Sequence, residues 1–113
     1  MSTRDIAGKT IEFDAEGFME DFSQWDKEVA ETLAGEVGIT PLTDRHWSVI
    51  ELCRADFEST GEAPTLRRIT SEARVPTKEL HKLFPKGPAM KVAYISGLKK
   101  PTGCIYSSWF VGV

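Results

Sequence analysis

The segment TDRHWSVIELCRADFESTG, residues 43–61, constrains the fold more than any other part of the chain. It opens on Thr43, a residue suited to cap a helix, and Asp44 suits the positive end of the helix that follows. Gly61 stops it. Trp47, Ile50, Cys53 or Arg54, and Phe57 recur at three- and four-residue spacing and so share one face. A stripe of that kind is buried against other elements. Cys53 falls on it, where apolar surroundings keep a thiol protonated and inert.

The flanking segments supply what the stripe packs against. Residues 26–37 predict a helix capped by Asp26, with Val29, Leu33 and Val37 in register and Gly38 at its end. Before it, TIEFDAEGF at 10–18 predicts a short β-hairpin: Ile11 and Phe13 alternate, Asp14 to Gly17 form the turn, and Phe18 begins the return. Such a hairpin is too small to stand alone and has to lie on the helices. Residues 64–85, PTLRRITSEARVPTKELHKLFP, predict two short helices around a tight turn. Thr65 caps the first, with Leu66, Ile69 and Ala73 inside; Thr77 caps the second, with Leu80 and Leu83 inside. Pro88 is placed at the first turn of a further helix, PAMKVAYIS, whose inward positions are Ala89, Val92, Ala93 and Ser96, and Gly97 is its C-cap. The expected fold class is mainly α. A small helical domain over 1–97 has an N-terminal β-hairpin and a helix-turn-helix-like core, and a flexible C-terminal arm follows over 98–113.

A chain of 113 residues is expected to form one domain and can bury a core without metal or disulfide staples. Its net charge of −3 is mild but unevenly spread. Residues 1–66 carry 15 acidic and 5 basic side chains, whereas 67–100 carry 2 acidic and 9 basic. A basic face for an anionic partner, nucleic acid or acidic protein, is one reading; the other is that each sign simply solvates its own helices. Two cysteines do not make a disulfide framework, no apolar run follows a basic start, and no segment has the roughly 18 apolar residues of a membrane span. A cytoplasmic location is expected.

Chemistry concentrates on Cys104, which follows Lys99-Lys100-Pro101-Thr102-Gly103 beyond the last helix. Nearby cations favour the thiolate, and the same lysines would hold the anion of a persulfide. A tethered sulfur can enter another protein's active site, where a fixed one cannot. A stray cysteine on a tail is the plainer alternative. The rival from another class is a DNA-binding helix-turn-helix, with Thr77, Lys78, His81 and Lys82 facing the duplex and Arg67, Arg68 and Arg74 on phosphates; no dimerisation element accompanies it. His46 and His81 lack partners at metal-ligand spacing, so no metal is expected. His81 as a base for Cys104 would need the arm to fold back.

Two blocks, LFPKGPA at 83–89 and ISGLKKPTGC at 95–104, resemble the DsrC/TusE/DsvC family of sulfur-relay proteins. DAEGF, SQWDKEVAETLAGEVGI, LTDRHWSVIE and GEAPTLRRIT extend the resemblance over roughly 9–105. It implies a compact helical fold and an arm whose cysteine receives or delivers sulfur, a position taken here by Cys104. Members that act with dissimilatory sulfite reductase carry a second cysteine in the helix before the arm; at the matching position this chain has Ala93. The resemblance is therefore to the single-cysteine, TusE-like branch, which relays sulfur toward tRNA thiolation, or to a related carrier in sulfur oxidation. A partner or substrate subunit of a sulfite reductase-type system is the alternative. Family members usually stop about one residue after the cysteine, whereas this chain adds YSSWFVGV after Ile105. The resulting expectations are a persulfide on Cys104, electrostatic support from Lys99 and Lys100, and an arm shaped by Pro101 and Gly103. Partner docking falls to Arg67, Arg68, Lys78, Lys82 and Lys86. The partners are sulfur donors and acceptors, with a sulfite reductase or a heterodisulfide-reductase-like complex among the candidates. Neither a cofactor nor a membrane is implied.

Overall fold

The computed structural model describes residues 2–99 of the chain. In order they form strand β1 (Ser2–Ile6), strand β2 (Lys9–Phe13), a single 3-10 turn (Phe22–Gln24), and helices α1 (Lys27–Glu36), α2 (Asp44–Thr60), α3 (Leu66–Glu72), α4 (Thr77–Leu83) and α5 (Pro88–Ile95). The mainly α class with an N-terminal hairpin is what the sequence led us to expect. Residues 100–113 of the expected arm lie outside the described residues.

The hairpin sits earlier than the alternation of Ile11 and Phe13 indicated. β1 and β2 are antiparallel, with Arg4 opposite Ile11 and Ile6 opposite Lys9. Their turn is Ala7-Gly8, at φ of 52° and 81°. Two-residue turns of this kind need positive φ at both positions, and alanine is a poor candidate for the first, so the pair carries no hairpin signal. The Asp14–Gly17 turn exists but lies beyond β2. Phe18 N–H donates to Asp14 Oδ1 at 3.0 Å, and the turn returns Met19 to a bridge with Phe13. Ile11 and Phe13 do point inward, at 0% and 1% exposure.

Helix α1 starts where Asp26 accepts the Val29 N–H at 2.9 Å. It ends in a Schellman motif: Gly38 N–H donates to Gly35 O and Ile39 N–H to Ala34 O, with Gly38 at φ 80°. At the start of α2 the capping partner is a histidine. Thr43 N–H donates to His46 Nδ1 at 3.0 Å, and His46 Nε2 lies 3.0 Å from Leu83 O. The ring thus joins the first turn of α2 to the end of α4. The buried stripe of α2 is centred on His46, Val49, Ile50 and Cys53. It is turned slightly from the expected face, and leaves Trp47, Arg54 and Phe57 half-buried.

Helices α3 and α4 form the expected helix-turn-helix-like pair. Their turn does more than break the helix, because Val75 is fully buried beside an exposed Arg74 at φ 56°. Ion pairs brace both helices on α2. Arg45 clasps Glu79 through two bonds of 2.6 and 2.8 Å, and Arg68 makes a two-pronged contact with Asp56.

Helix α5 departs most from the one-sided pattern read in the sequence. Pro88 and every residue from Met90 to Ile95 are buried, so the helix is surrounded. It packs against α1, α2 and α4. Tyr94 is its largest side chain and is 1% exposed. Its hydroxyl accepts from Arg4 Nη1 at 2.9 Å and donates to Glu36 Oε1 at 2.5 Å, joining β1, α1 and α5. Phe13 and Phe18 flank the ring at 6.5 and 6.1 Å between centroids.

This network makes a prediction at high pH. Burial, helped by the bond to Glu36, pushes the Tyr94 hydroxyl from 10.0 up to about 12. The folded state therefore favours the neutral phenol. That stabilisation is fully present below the unfolded pKa and is lost as pH rises from about 10 through about 12. Chemical denaturation across that range should show the wild-type protein losing about 1–2 kcal/mol more than Tyr94→Phe. Parallel declines for the two proteins would refute this assignment.

Candidate functional site

Of the two thiols, the described residues include Cys53 alone. It is fully buried, and burial followed by the nearby Asp56 charge pushes its thiol well above the ordinary range. Cys53 is thus held protonated and out of reach of reagents. Cys104 lies outside the described residues, as do Lys100, Pro101 and Gly103. What the structure does describe is residues 95–99, the root that leads to that segment in sequence.

The root is a second Schellman motif. Gly97 N–H donates to Tyr94 O at 3.3 Å and Leu98 N–H to Ala93 O at 2.9 Å, and Leu98 is fully buried. Gly97 is needed twice over. Its φ of 74° lies in the left-handed region, and a Cβ there would come within 2.7 Å of Trp25 Cδ1 and 3.0 Å of Trp25 Cγ.

The last carbonyls of α5 are taken by side chains from distant elements. Trp25 Nε1–H donates to Ile95 O at 2.8 Å. Arg54 Nη1 donates to Ser96 O at 2.9 Å and Nη2 to Phe22 O at 3.2 Å. The Arg54 guanidinium lies 3.7 Å from the Phe22 ring centroid and 4.0 Å from that of Trp25, contacts worth about 1–2 kcal/mol when desolvated. Phe22 in turn stacks on Phe57 at 5.3 Å. The cation also meets the negative end of a helix. Among the described residues Arg54 has no carboxylate in salt-bridge contact, and burial lowers its pKa. Ser96 Oγ is buried without a hydrogen-bond partner among the described residues, an arrangement that costs roughly 1–3 kcal/mol. Lys99, the final described residue, donates to Glu20 Oε1 at 2.9 Å and lies 3.9 Å from Asp14. Its charge is thus shared with two carboxylates.

The remaining sequence candidates lie elsewhere. Arg67, Arg68, Lys78, Lys82 and Lys86 are all exposed on the α3–α4 side. Arg68 is engaged by Asp56 and lies 3.9 Å from Glu72. Among the described residues the other four make no salt bridge, although Lys82 lies in the field of Glu79, so the α3–α4 segment and the turn after it present an excess of positive charge. A groove of about 190 Å³ opens between residues 38–41 and the end of α4, but His46 beside it is already bonded on both ring nitrogens. Among the described residues no three potential metal ligands converge. The Arg54–Trp25 clasp was missed from sequence. Its signal was an arginine sharing an apolar stripe, which is uncommon unless the charge has a dedicated partner.

Comparison with known proteins follows the same outline. The chain matches the family model described as DsrC like protein over residues 5–105, a span that includes Cys104. It is 34% identical over 108 residues to Sulfurtransferase TusE of Yersinia pseudotuberculosis, covering 89% of this chain and 99% of that protein. Among solved structures, dissimilatory sulfite reductase I (DsrI) superposes with a TM-score of 0.82 at 31% identity, covering 92% of this chain and 100% of the other. The oxidized gamma-subunit of the dissimilatory sulfite reductase (DsrC) from Archaeoglobus fulgidus gives 0.76 at 35% identity, again covering 92% and 100%.

The burial of Cys53 yields a direct check. In a Cys104→Ser variant, a thiol reagent such as Ellman's should find no reactive group in the native protein and one after denaturation. Rapid labelling under native conditions would show that Cys53 is accessible.

Proposed function

The chain belongs to the DsrC-like protein family, and from that premise we propose that it is a sulfur carrier that takes up sulfane sulfur as a persulfide on Cys104 and passes it on. The observation that carries this reading is the sequestration of the other thiol. With Cys53 sealed in the core, Cys104 is left as the sulfur that can exchange.

The step balances simply. The Cys104 thiolate attacks the outer sulfur of a donor persulfide, the donor leaves as its thiolate, and Cys104 then bears the S–SH group; no net oxidation or reduction occurs. Lys100 and Lys99 favour the anionic forms of both thiol and persulfide, with Lys99 contributing less because Glu20 and Asp14 already share its charge. Pro101 and Gly103 shape the segment between root and sulfur. Chemistry that bridges two thiols of one chain is not favoured: Ala93 stands in the helix before the segment, buried at 1% exposure.

Donor and acceptor dock on the basic side of the molecule, with Arg67, Lys78, Lys82 and Lys86 meeting acidic protein surface and Arg68 adding to the field from its pair with Asp56. The names of the relatives support a sulfurtransferase relay, with a sulfite reductase association as its neighbour; a DNA-binding regulator is not favoured. The carrier works in the cytoplasm, where thiols stay reduced. No helix among the described residues is long and apolar enough to cross a membrane.

Incubation with glutathione persulfide should add about 32 Da, one sulfur atom, to Cys104 and nothing to Cys104→Ser. Duplex DNA should not be shifted at physiological salt. A protein that gains no mass from sulfane donors, or that binds DNA in a salt-dependent way when Cys104 is replaced, would refute the carrier reading.

A further inference from the structure

We infer that Arg54 is a positioning residue for the sulfur-bearing segment: held by Phe22 and Trp25, it fixes the place and heading of residues 95–99, the chain that leads to that segment. The inference rests on the carrier reading for its purpose, but its geometry stands independently.

Three features of Arg54 set it apart from an ordinary structural cation. Among the described residues it makes no salt bridge, although the chain holds 17 acidic residues to 14 basic. Its fork instead spans two backbone carbonyls, Ser96 O at the end of α5 and Phe22 O in the 3-10 turn. Its plane is held between two aromatic rings, one of which, Trp25, donates to the neighbouring carbonyl Ile95 O. Arg54 and Trp25 thus grip consecutive carbonyls of α5. Lysine could supply the charge but not the planar fork or the stacking.

The grip meets other constraints on the next three residues. Gly97 is pressed against Trp25, Leu98 is buried and bonded to Ala93 O, and Lys99 is tied to Glu20. Residues 95–99 are therefore held from α2, from the 3-10 turn, from Trp25 and from the turn after β2. A carrier needs this arrangement. A tether sweeping from a loose root explores a large volume, whereas a fixed root restricts the search for a partner's active site. The Arg54 charge acts on the root carbonyls, not on the sulfur, so the intrinsic reactivity of Cys104 should not depend on it.

The test reads heading and reactivity separately. Nitroxide labels at Lys78→Cys and Lys100→Cys, in a Cys104→Ser background with Cys53 shielded, report a distance distribution by pulsed electron resonance. Arg54→Gln should widen it at least twofold. Amide exchange at Leu98 should rise at least tenfold while Val49 and Ile50 keep their protection. Arg54→Lys should not restore either. Trp25→Phe, which keeps a ring beside Arg54 and loses one bond, should shift both readouts in the same direction but by less. With Cys104 present, the pH profile of its alkylation by iodoacetamide should match wild type in Arg54→Gln within twofold. An unchanged distance distribution, a loss of Leu98 protection that only tracks the core, or a displaced alkylation profile would each overturn the inference. None of these readouts needs a sulfane donor, so failure of the carrier reading would appear separately, as wild-type protein that gains no sulfur.

Discussion

Helix α5 is enclosed on nearly every side, and that enclosure governs the rest of the structure. The end of a helix leaves carbonyls without intrahelical partners, and an exposed helix satisfies them with water. Here water is displaced, so the partners come from the protein. Gly97 and Leu98 turn back to Tyr94 and Ala93, Trp25 reaches Ile95, and Arg54 reaches Ser96. The hairpin, the 3-10 turn and α2 all converge on this helix or on its end. Tyr94 adds the complementary tie, linking the middle of the domain to Arg4 and Glu36.

The same enclosure separates two kinds of sulfur. Cys53 is absorbed into the packing between helices and is chemically silent, whereas Cys104 follows the C-terminal end of α5 in sequence, outside the described residues. Charge is separated in a comparable way. Cations that tie α2 to α4 and α3, Arg45 and Arg68, are matched to Glu79 and Asp56 within the fold, while Arg67, Lys78, Lys82 and Lys86 make no salt bridge among the described residues. The first set braces the fold, and the second stays exposed.

Much of this was legible in the residues. Asp26, Gly38, Thr43, Gly61, Thr65 and Gly97 mark helix ends where they were expected, because caps act locally. The hairpin was displaced because Ala7-Gly8 adopts a turn that alanine seldom enters, so the local signal was absent. The burial of α5 was underestimated because periodicity reports a two-sided environment, and a short helix with small residues gives no hint that both sides are covered. The family blocks pointed to Cys104 but not to the clasp at its root. Arg54 and Trp25 lie 42 and 70 residues from their carbonyl partners, and no local pattern encodes a meeting over that distance.

Those separations bear on how the domain is made. Arg4 meets Tyr94 across 90 residues and Glu20 meets Lys99 across 79. During synthesis the hairpin can pair at once, and Phe22 meets Arg54 and Phe57 once α2 is made, but the bond from Trp25 to Ile95 waits until α5 has followed. Completion of the fold therefore coincides with the arrival of residues 95–99, whose partners have been made long before them.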